Sequence, residues 1–371
     1  MRRRPFLFVT LLAGLAIGVA GTVAVYSLRG PSGSASASAV TTDRAALEQL
    51  LAEPEIAPTG QTRQFELIVQ ETAWELLPGV RTDAITFNGT VPGPTIRVTE
   101  GDSVEIVVRN QLDTSTSIHW HGLHVPNDQD GVAGITQDPI APGETFTYRF
   151  MAPHSGTFMY HTHGEKSREQ MDRGLYAPFI IDPQGVDPIA ADREVILAIG
   201  NWMVGDGMAG MDAMSMDYDY FTINGKSFPA TESIDVAEGE LVRLRFINPS
   251  QTIHPMHLHG MDMAVIAKDG EALSEPQRIN TLDIAQGETY DVVFRADKPG
   301  TWLLHCHDLH HASNAGVEPG GLIVAINVAA AGDPAPTVGP SGPASSDAPV
   351  HTMAPGMTDM PGMSPMASMG H

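Results

Sequence analysis

The feature that most restricts how this chain can fold is a pattern written twice. Residues 95–112, "TIRVTEGDSVEIVVRNQL", alternate apolar and polar positions around a Glu-Gly-Asp turn, and residues 233–250, "SIDVAEGELVRLRFINPS", repeat the design. Period-two alternation sends successive side chains to opposite faces of a β-strand, so each run reads as half-buried strands joined by a turn. After each run comes a histidine pair, His119 and His121 or His257 and His259. A Gly-Glu-Thr turn follows ("APGETFTYRF" or "AQGETYDVVF"), then an aromatic strand ending in another pair. This self-similarity predicts an all-β chain with two copies of one β-sandwich. The first copy spans 61–185 and the second 186–330, with the break in "IIDPQGVDPIAADREVIL", where Pro and Asp interrupt the strands. Residues 40–60 read as a linker, and residues 331–371, rich in Met, Pro and Gly, as a disordered tail.

At 371 residues the chain holds those two domains and has no room for a third of equal size. Its one cysteine excludes an intrachain disulfide framework and leaves the thiol for chemistry. A formal charge of −23 excludes nucleic acid as a partner and favours small cations. The N-terminus, "MRRRPFLFVTLLAGLAIGVAGTVAVYSL", has a basic start and an apolar run, and is followed by Ala35-Ser36-Ala37 and Ala37-Ser38-Ala39, both small-residue cleavage patterns. Residues 1–39 therefore read as an export signal, which predicts a periplasmic, cell-surface or extracellular protein. Arg3-Arg4-Pro5-Phe6-Leu7 resembles the core of a twin-arginine signal. The alternative is an uncleaved anchor, since the run from Phe6 to Leu28 is nearly long enough to span a bilayer; only then is a membrane a partner.

Four pairs have the form His-x-His: His119/His121, His161/His163, His257/His259 and His305/His307. In a strand, residues two apart share a face, so each pair offers two imidazoles side by side. One such pair is commonly an exposed strand face or a satisfied core pair. Four pairs, two in each half of a duplicated chain, read as a metal array that suits copper, zinc or iron.

The cysteine narrows that choice. In "WLLHCHDLHH" the strand period turns Cys306 to the face opposite His305 and His307, so one strand serves a thiolate site on one side and an imidazole cluster on the other. Two histidines and one cysteine make a blue copper electron-transfer centre. The expected histidines are His254, whose parity is opposite to that of His257 and His259, and His311.

"HWHG" (119–122), "HTHG" (161–164), "HPMHLHG" (254–260) and "HCHDLHH" (305–311) resemble the four copper motifs of the multicopper oxidases, and the likeness covers nearly all of residues 60–330. In size, and in having cysteine only in the second half, the chain is similar to the two-domain, small-laccase branch. The resemblance implies tandem cupredoxin-like Greek-key domains and four coppers per chain. It places a type 1 copper on His254, Cys306 and His311, a type 2 copper on His119 and His257, and a type 3 pair on His121, His161, His163, His259, His305 and His307. It also implies a homotrimer, with each three-copper site shared between neighbouring subunits. Cys306 would then carry electrons from the type 1 site to the cluster, where dioxygen is reduced. Asp130 stands where similar oxidases carry an acid near the cluster. It reads either as a proton donor or orienting group, or as the residue of an Asp-Gly turn.

Two departures matter. Thr162 stands where a cysteine would give the first half its own type 1 site, which sets the chain apart from copper nitrite reductases. Gly316 stands five residues after His311, where the family often has Met or Leu, so the axial ligand is open and a raised potential is expected if no Met coordinates. Methionine is the remaining signal. Met353, Met357, Met360, Met363, Met366 and Met369 lie among Pro355, Pro361 and Pro365, which break a helix, and their thioethers suit cuprous ion. Met203, Met208, Met211, Met214 and Met216 form a second group, read equally as core filling. His124, His154 and His310 lie near ligand motifs but off their pattern, and read as supporting or surface groups. Trp120 and Tyr160 adjoin ligands and read as packing.

Two functions follow: an oxidase passing electrons from phenolic or cuprous donors to dioxygen, or a copper-tolerance protein whose Met-rich tail captures cuprous ion.

Overall fold

In the computed structural model, residues 44–52, 54–204 and 217–333 are described. The chain divides into two units, residues 1–53 and 54–371. The first contributes α1 (Arg44–Leu50), which falls within the stretch read as linker. Its sequence, RAALEQL, consists of strong helix formers, and an Arg44–Glu48 pair spans one turn. No helix among the described residues is long and apolar enough to cross a membrane, and the expected signal, residues 1–39, lies outside them.

The second unit is built of strands. Residues 62–182 supply β1 (Thr62–Leu77), β2 (Val80–Phe87), β3 (Ile96–Thr99), β4 (Ser103–Asn110), β5 (Ile118–His121), β6 (Thr145–Met151), β7 (Gly156–Thr162) and β8 (Tyr176–Asp182), with the helix α2 (Ser167–Asp172) between the last two. They form two facing four-stranded sheets, β2-β1-β4-β6 and β3-β8-β7-β5. The alternation read in the sequence is realised in β4, where Val104, Ile106 and Val108 enter the core while Ser103 and Arg109 stay exposed.

Residues 193–329 repeat the plan with β9 (Arg193–Trp202), β10 (Tyr220–Ile223), β11 (Ile234–Ala237), β12 (Leu241–Ile247), β13 (His254–Leu258), β14 (Met263–Lys268), β15 (Glu271–Ile279), β16 (Thr281–Ile284), β17 (Thr289–Arg295), β18 (Gly300–Cys306) and β19 (Ile323–Ala329). Their sheets are β10-β9-β12-β17-β14-β15 and β11-β19-β18-β13-β16. The pairings match between copies. β1 runs parallel to β4 as β9 does to β12, and β5 is antiparallel to β7 as β13 is to β18.

Each sandwich has its own apolar core. A third cluster, including Leu76, Val91, Met159, Tyr176, Trp202 and Ile247, joins the two. One face of β12 departs from the sequence pattern: Arg243 and Arg245, at alternating positions that suggest solvent, are buried. They face the first sandwich, where Arg245 meets the Thr157 hydroxyl at 2.6 Å; within their own half Arg245 meets Asp291 at 3.1 Å and Glu194 at 2.7 Å, and Arg243 meets Asp187 at 2.7 Å. A buried network of this kind fixes one relative placement of the packed halves, because any other leaves a charge unpaired.

Candidate metal centres

β18 carries the arrangement foreseen for it. Cys306 is fully buried at its end and pairs in register with Met256 of β13, while His305 and His307 point to the other, more open face. On the buried side Cys306 Sγ lies 4.0 Å from His254 Nδ1 and 3.6 Å from His311 Nδ1, and all three side chains are buried. His254 opens β13, and His311 sits in a short 3-10 turn, Leu309–Ala312, that brings it back over the strand. Two bonds of about 2.0 and 2.3 Å from one cation to nitrogen and sulfur span such N···S gaps. Burial pushes the Cys306 thiol up to about 12 and the His254 imidazole down to about 3. A thiol and two neutral imidazoles that turn lone pairs into a dry space suit a soft cation, which displaces the thiol proton on binding.

The outer nitrogen of His254 is held by the hydroxyls of Ser250 at 2.9 Å and Thr252 at 3.1 Å, and Asn248 in turn accepts from Ser250 at 2.6 Å. The ring of Phe221 packs on His311 with centroids 4.2 Å apart. Sequence reading missed all four residues, because nothing in their spacing ties them to His254 or His311. Gly316 is exposed and brings no side chain to the site. Leu322 is the buried residue tied there by its main chain, accepting from the Cys306 amide and donating to the His311 carbonyl.

The eight histidines of the His-x-His pairs form two matching sets of four. In the first half His119 lies 5.6, 5.4 and 5.5 Å, centroid to centroid, from His121, His161 and His163. In the second half His257 lies 5.0, 5.9 and 5.6 Å from His259, His305 and His307. Among the described residues, ring contacts run within each set and none crosses between them.

Main-chain oxygens set the tautomers. The His119 Nδ1–H donates to the Asp130 carbonyl and that of His257 to the Asn280 carbonyl, both at 2.8 Å. His161 and His305 each donate Nδ1–H to the carbonyl of the next residue, Thr162 or Cys306, also at 2.8 Å. A carbonyl only accepts, so these four rings keep a bare Nε2 for a ligand. The Nε2 of His161 lies 3.1 Å from His121 Nδ1, and that of His305 lies 2.9 Å from His259 Nε2. Burial lowers the pKa of His161 to about 3 and lowers those of His121, His259 and His305 as well. Convergent neutral imidazoles of this kind fit copper or another borderline cation.

Asp130 lies in a turn beside His119. It ends a 3-10 turn, Asn127–Gln129, and its carboxylate lies 3.4 Å from His119 Nδ1, although the shorter bond comes from its own carbonyl. Gly131 follows with φ +84, and a Cβ there would lie 1.7 Å from the Ile118 carbonyl oxygen, so only glycine lets this turn press against β5.

The other candidates fall as follows. Trp120 and Tyr160 are fully buried in the first core, and His310 is exposed, with Nε2 3.1 Å from the Tyr218 carbonyl. His124 is exposed and His154 buried. Met203 packs against the second core. Met208, Met211, Met214, Met216 and the tail methionines from Met353 to Met369 lie outside the described residues.

Known proteins of one family are similar to this chain. Two multicopper oxidase family profiles match residues 68–185 and 206–317. A copper resistance protein A homolog of Pseudomonas syringae pv. tomato is 32% identical over 280 residues, covering 62% of this chain and 47% of that protein. Laccase-3 of Thanatephorus cucumeris is 35% identical over 256 residues, covering 61% and 44%. The chain thus spans about half the length of the curated relatives it matches. Among solved structures, the blue copper oxidase of Nitrosomonas europaea is 36% identical with a TM-score of 0.69, covering 72% of this chain and 86% of that one.

Proposed function

The chain belongs to the multicopper oxidase family, and on that premise we propose that it couples one-electron oxidation of phenolic or cuprous donors to the four-electron reduction of dioxygen to water. The observation that carries this reading is the two-faced end of β18. A buried Cys306, His254 and His311 set stands on one side and the imidazoles of His305 and His307 on the other, joined by single peptide bonds. Copper held by these donors supplies reversible one-electron chemistry and a place for dioxygen to bind.

The protein's own groups have distinct tasks. His254, Cys306 and His311 make the dry thiolate site that takes electrons singly. Cys306, bonded through the main chain to His305 and His307, is the covalent path onward. His119 and His257 provide the type 2 donors, and His121, His161, His163, His259, His305 and His307 the type 3 donors, for four coppers per chain. Asp130 orients His119 through its carbonyl, and its carboxylate, 3.4 Å from that ring, is placed to hand protons to the reaction. The His-x-His pairs of each half bring four imidazoles, so a complete cluster of eight needs a first half and a second half face to face. A homotrimer that shares its clusters between subunits meets this need. The lack of a methionine at position 316 favours a raised potential. Export under residues 1–39 and cuprous capture by the Met-rich tail complete the reading.

The name of the copper resistance relative supports a second reading, copper tolerance, in which cuprous ion is the donor that matters. One experiment separates the readings. Oxygen uptake by the copper-loaded full chain is measured with a phenol and with cuprous ion, before and after deletion of residues 351–371. Uptake with both donors supports the oxidase. Loss of the cuprous reaction alone on deletion assigns the tail to metal handling. A loaded protein with no strong absorption of orange light and no uptake with either donor overturns both.

A further inference from the structure

The loop over the outer side of His254 has hydrogen bonds that run in only one consistent direction. The side-chain nitrogen of Asn248 lies 2.9 Å from the carbonyls of Thr252 and Ile284 and 3.1 Å from that of Ala285. Carbonyls only accept, so this end is the NH2 group, and Oδ1 faces the Ser250 main-chain N–H at 3.0 Å. The same Oδ1 is 2.6 Å from Ser250 Oγ and can only accept, which commits the one hydroxyl proton of Ser250. Toward His254 Nε2, 2.9 Å away, Ser250 therefore turns a lone pair. The imidazole must donate Nε2–H outward, and Nδ1 is left bare on the side of Cys306, 4.0 Å from Sγ. Thr252 Oγ1, 3.1 Å from the same Nε2 and 2.6 Å from the Asn201 side-chain nitrogen, is the second contact.

The other imidazole of the set is held more loosely. His311 Nε2 is 3.6 Å from Asp308 Oδ2, beyond hydrogen-bond range. The first sandwich supplies a further contrast. Asn110 ties its loop by the same bonds, to the Thr114 and Ile140 carbonyls and from the Leu112 amide. At matching offsets, however, Leu112 stands where Ser250 does, and Thr116 where His254 does. The loop thus closes without a hydroxyl at that place, and of the two halves the one with the hydroxyl is the one with an imidazole to hold.

We propose that Asn248 and Ser250 are positioning residues for electron entry, a relay that fixes His254 with Nδ1 toward Cys306 and lowers the potential of that site by accepting the Nε2–H. The proposal rests on the oxidase reading above. A ligand imidazole that gives its far N–H to an acceptor becomes more basic. A more basic donor favours cupric over cuprous ion, so the relay opposes the rise expected from the missing methionine at position 316.

The test is a redox titration of copper-loaded full-length protein, followed by its orange-light absorption. Ser250→Ala should keep the absorption and raise the potential, with cupric affinity falling at least about tenfold relative to cuprous, which is about 59 mV for one electron. Thr252→Val should raise it by less, since its bond is the longer. Gln251→Ala, which alters the neighbouring side chain and keeps the relay, should match the wild type. If Ser250→Ala takes up no copper, Thr252→Val decides, and it must raise the potential. A second readout needs no metal: nitrogen resonances of 15N-histidine in the metal-free full chain, assigned with His254→Gln, should show His254 as the Nε2–H form. An Nδ1–H form there, an unchanged or lowered potential in Ser250→Ala, or an equal rise in Gln251→Ala would overturn the relay. A wild-type protein without the absorption would instead overturn the oxidase reading, so the two failures are told apart.

Discussion

The two sandwiches share one scaffold and differ at the slot beside the last histidine pair. In the second half that slot holds His254, Cys306 and His311. In the first, the corresponding strand positions are Thr116 and Thr162, and Gln170 of α2 closes the third side. Both threonine hydroxyls donate to the Gln170 amide oxygen, and they lie 3.2 Å from each other. The loop that leads into each slot is tied in the same way. Asn110 donates to the Thr114 and Ile140 carbonyls and accepts from the Leu112 amide; Asn248 donates to those of Thr252 and Ile284 and accepts from the Ser250 amide. The loop geometry therefore does not depend on a metal. What differs is closure: three neutral polar groups satisfy one another in the first slot, whereas the second presents a thiol and two imidazoles whose lone pairs point at a gap. The molecule thus contains its own metal-free control.

The sharpest way to break the comparison is to change the two matched strand positions. Cys306→Ser removes the soft donor, and we expect loss of the orange-light absorption and a fall in donor oxidation of more than about 100-fold, beyond the usual effect of disturbing a group that merely supports a ligand. Thr162→Val should leave colour and copper content intact. It should lower stability by about 0.5 to 1.5 kcal/mol, because the buried Gln170 oxygen keeps only the Thr116 donor, and denaturant midpoints would read the change. A colourless Thr162→Val protein would show that the first slot is no passive control.

A second contrast lies in how the two halves hold matched histidines. His119 depends on the Asp130 carbonyl, carried on a turn that only Gly131 permits; His257 uses the Asn280 carbonyl, followed by the ordinary residue Thr281. Gly131→Ala should therefore cost about 3 kcal/mol or more and reduce copper content, whereas Asn280→Ala, which keeps the carbonyl at an exposed position, should stay within about 0.5 kcal/mol. Thermal unfolding with metal analysis decides, and equal losses in the two variants would remove the asymmetry. Asp130→Asn retains the carbonyl and hence the copper, so a changed turnover in that variant isolates the carboxylate.

Much of this was legible in the sequence because strand periodicity is a local rule. The duplication, the shared face of each His-x-His pair and the opposite face of Cys306 all follow from a period of two. The determinants that stayed hidden are of two kinds. Orientation by the Asp130, Thr162, Asn280 and Cys306 carbonyls leaves no mark, since every residue has a carbonyl. Groups delivered from another element, such as Gln170 from α2, Phe221 from β10 and Ser250 from the loop before β13, depend on how sheets stack, which no spacing encodes. The burial of Arg243 and Arg245 was hidden for the same reason: their alternation was right, but the face they occupy meets another sandwich instead of water.

The last expected effect, confined to one pH window, concerns a group that ties the halves together. Asp172 ends α2, a helix of the first half, and accepts a 3.0 Å hydrogen bond from the hydroxyl of Tyr218, which packs in the second core next to Phe221. Burial raises its pKa to about 6, against the partial compensation of the Tyr218 bond and of Arg168 at 3.5 Å. The unfolded chain ionises this carboxyl near its ordinary value, whereas the folded chain holds the proton until about pH 6. Stability from this group is therefore full at low pH and falls as pH climbs through that window, by an amount on the order of 2 kcal/mol. Asp172→Asn keeps an acceptor for Tyr218 and cannot ionise, so it should match the wild type at about pH 4 and exceed it by that margin at about pH 7. Denaturant midpoints at the two pH values measure the difference. A variant that instead falls behind as pH rises would show that the Arg168 ion pair outweighs burial, and that charge as well as packing holds this side of the two sandwiches together.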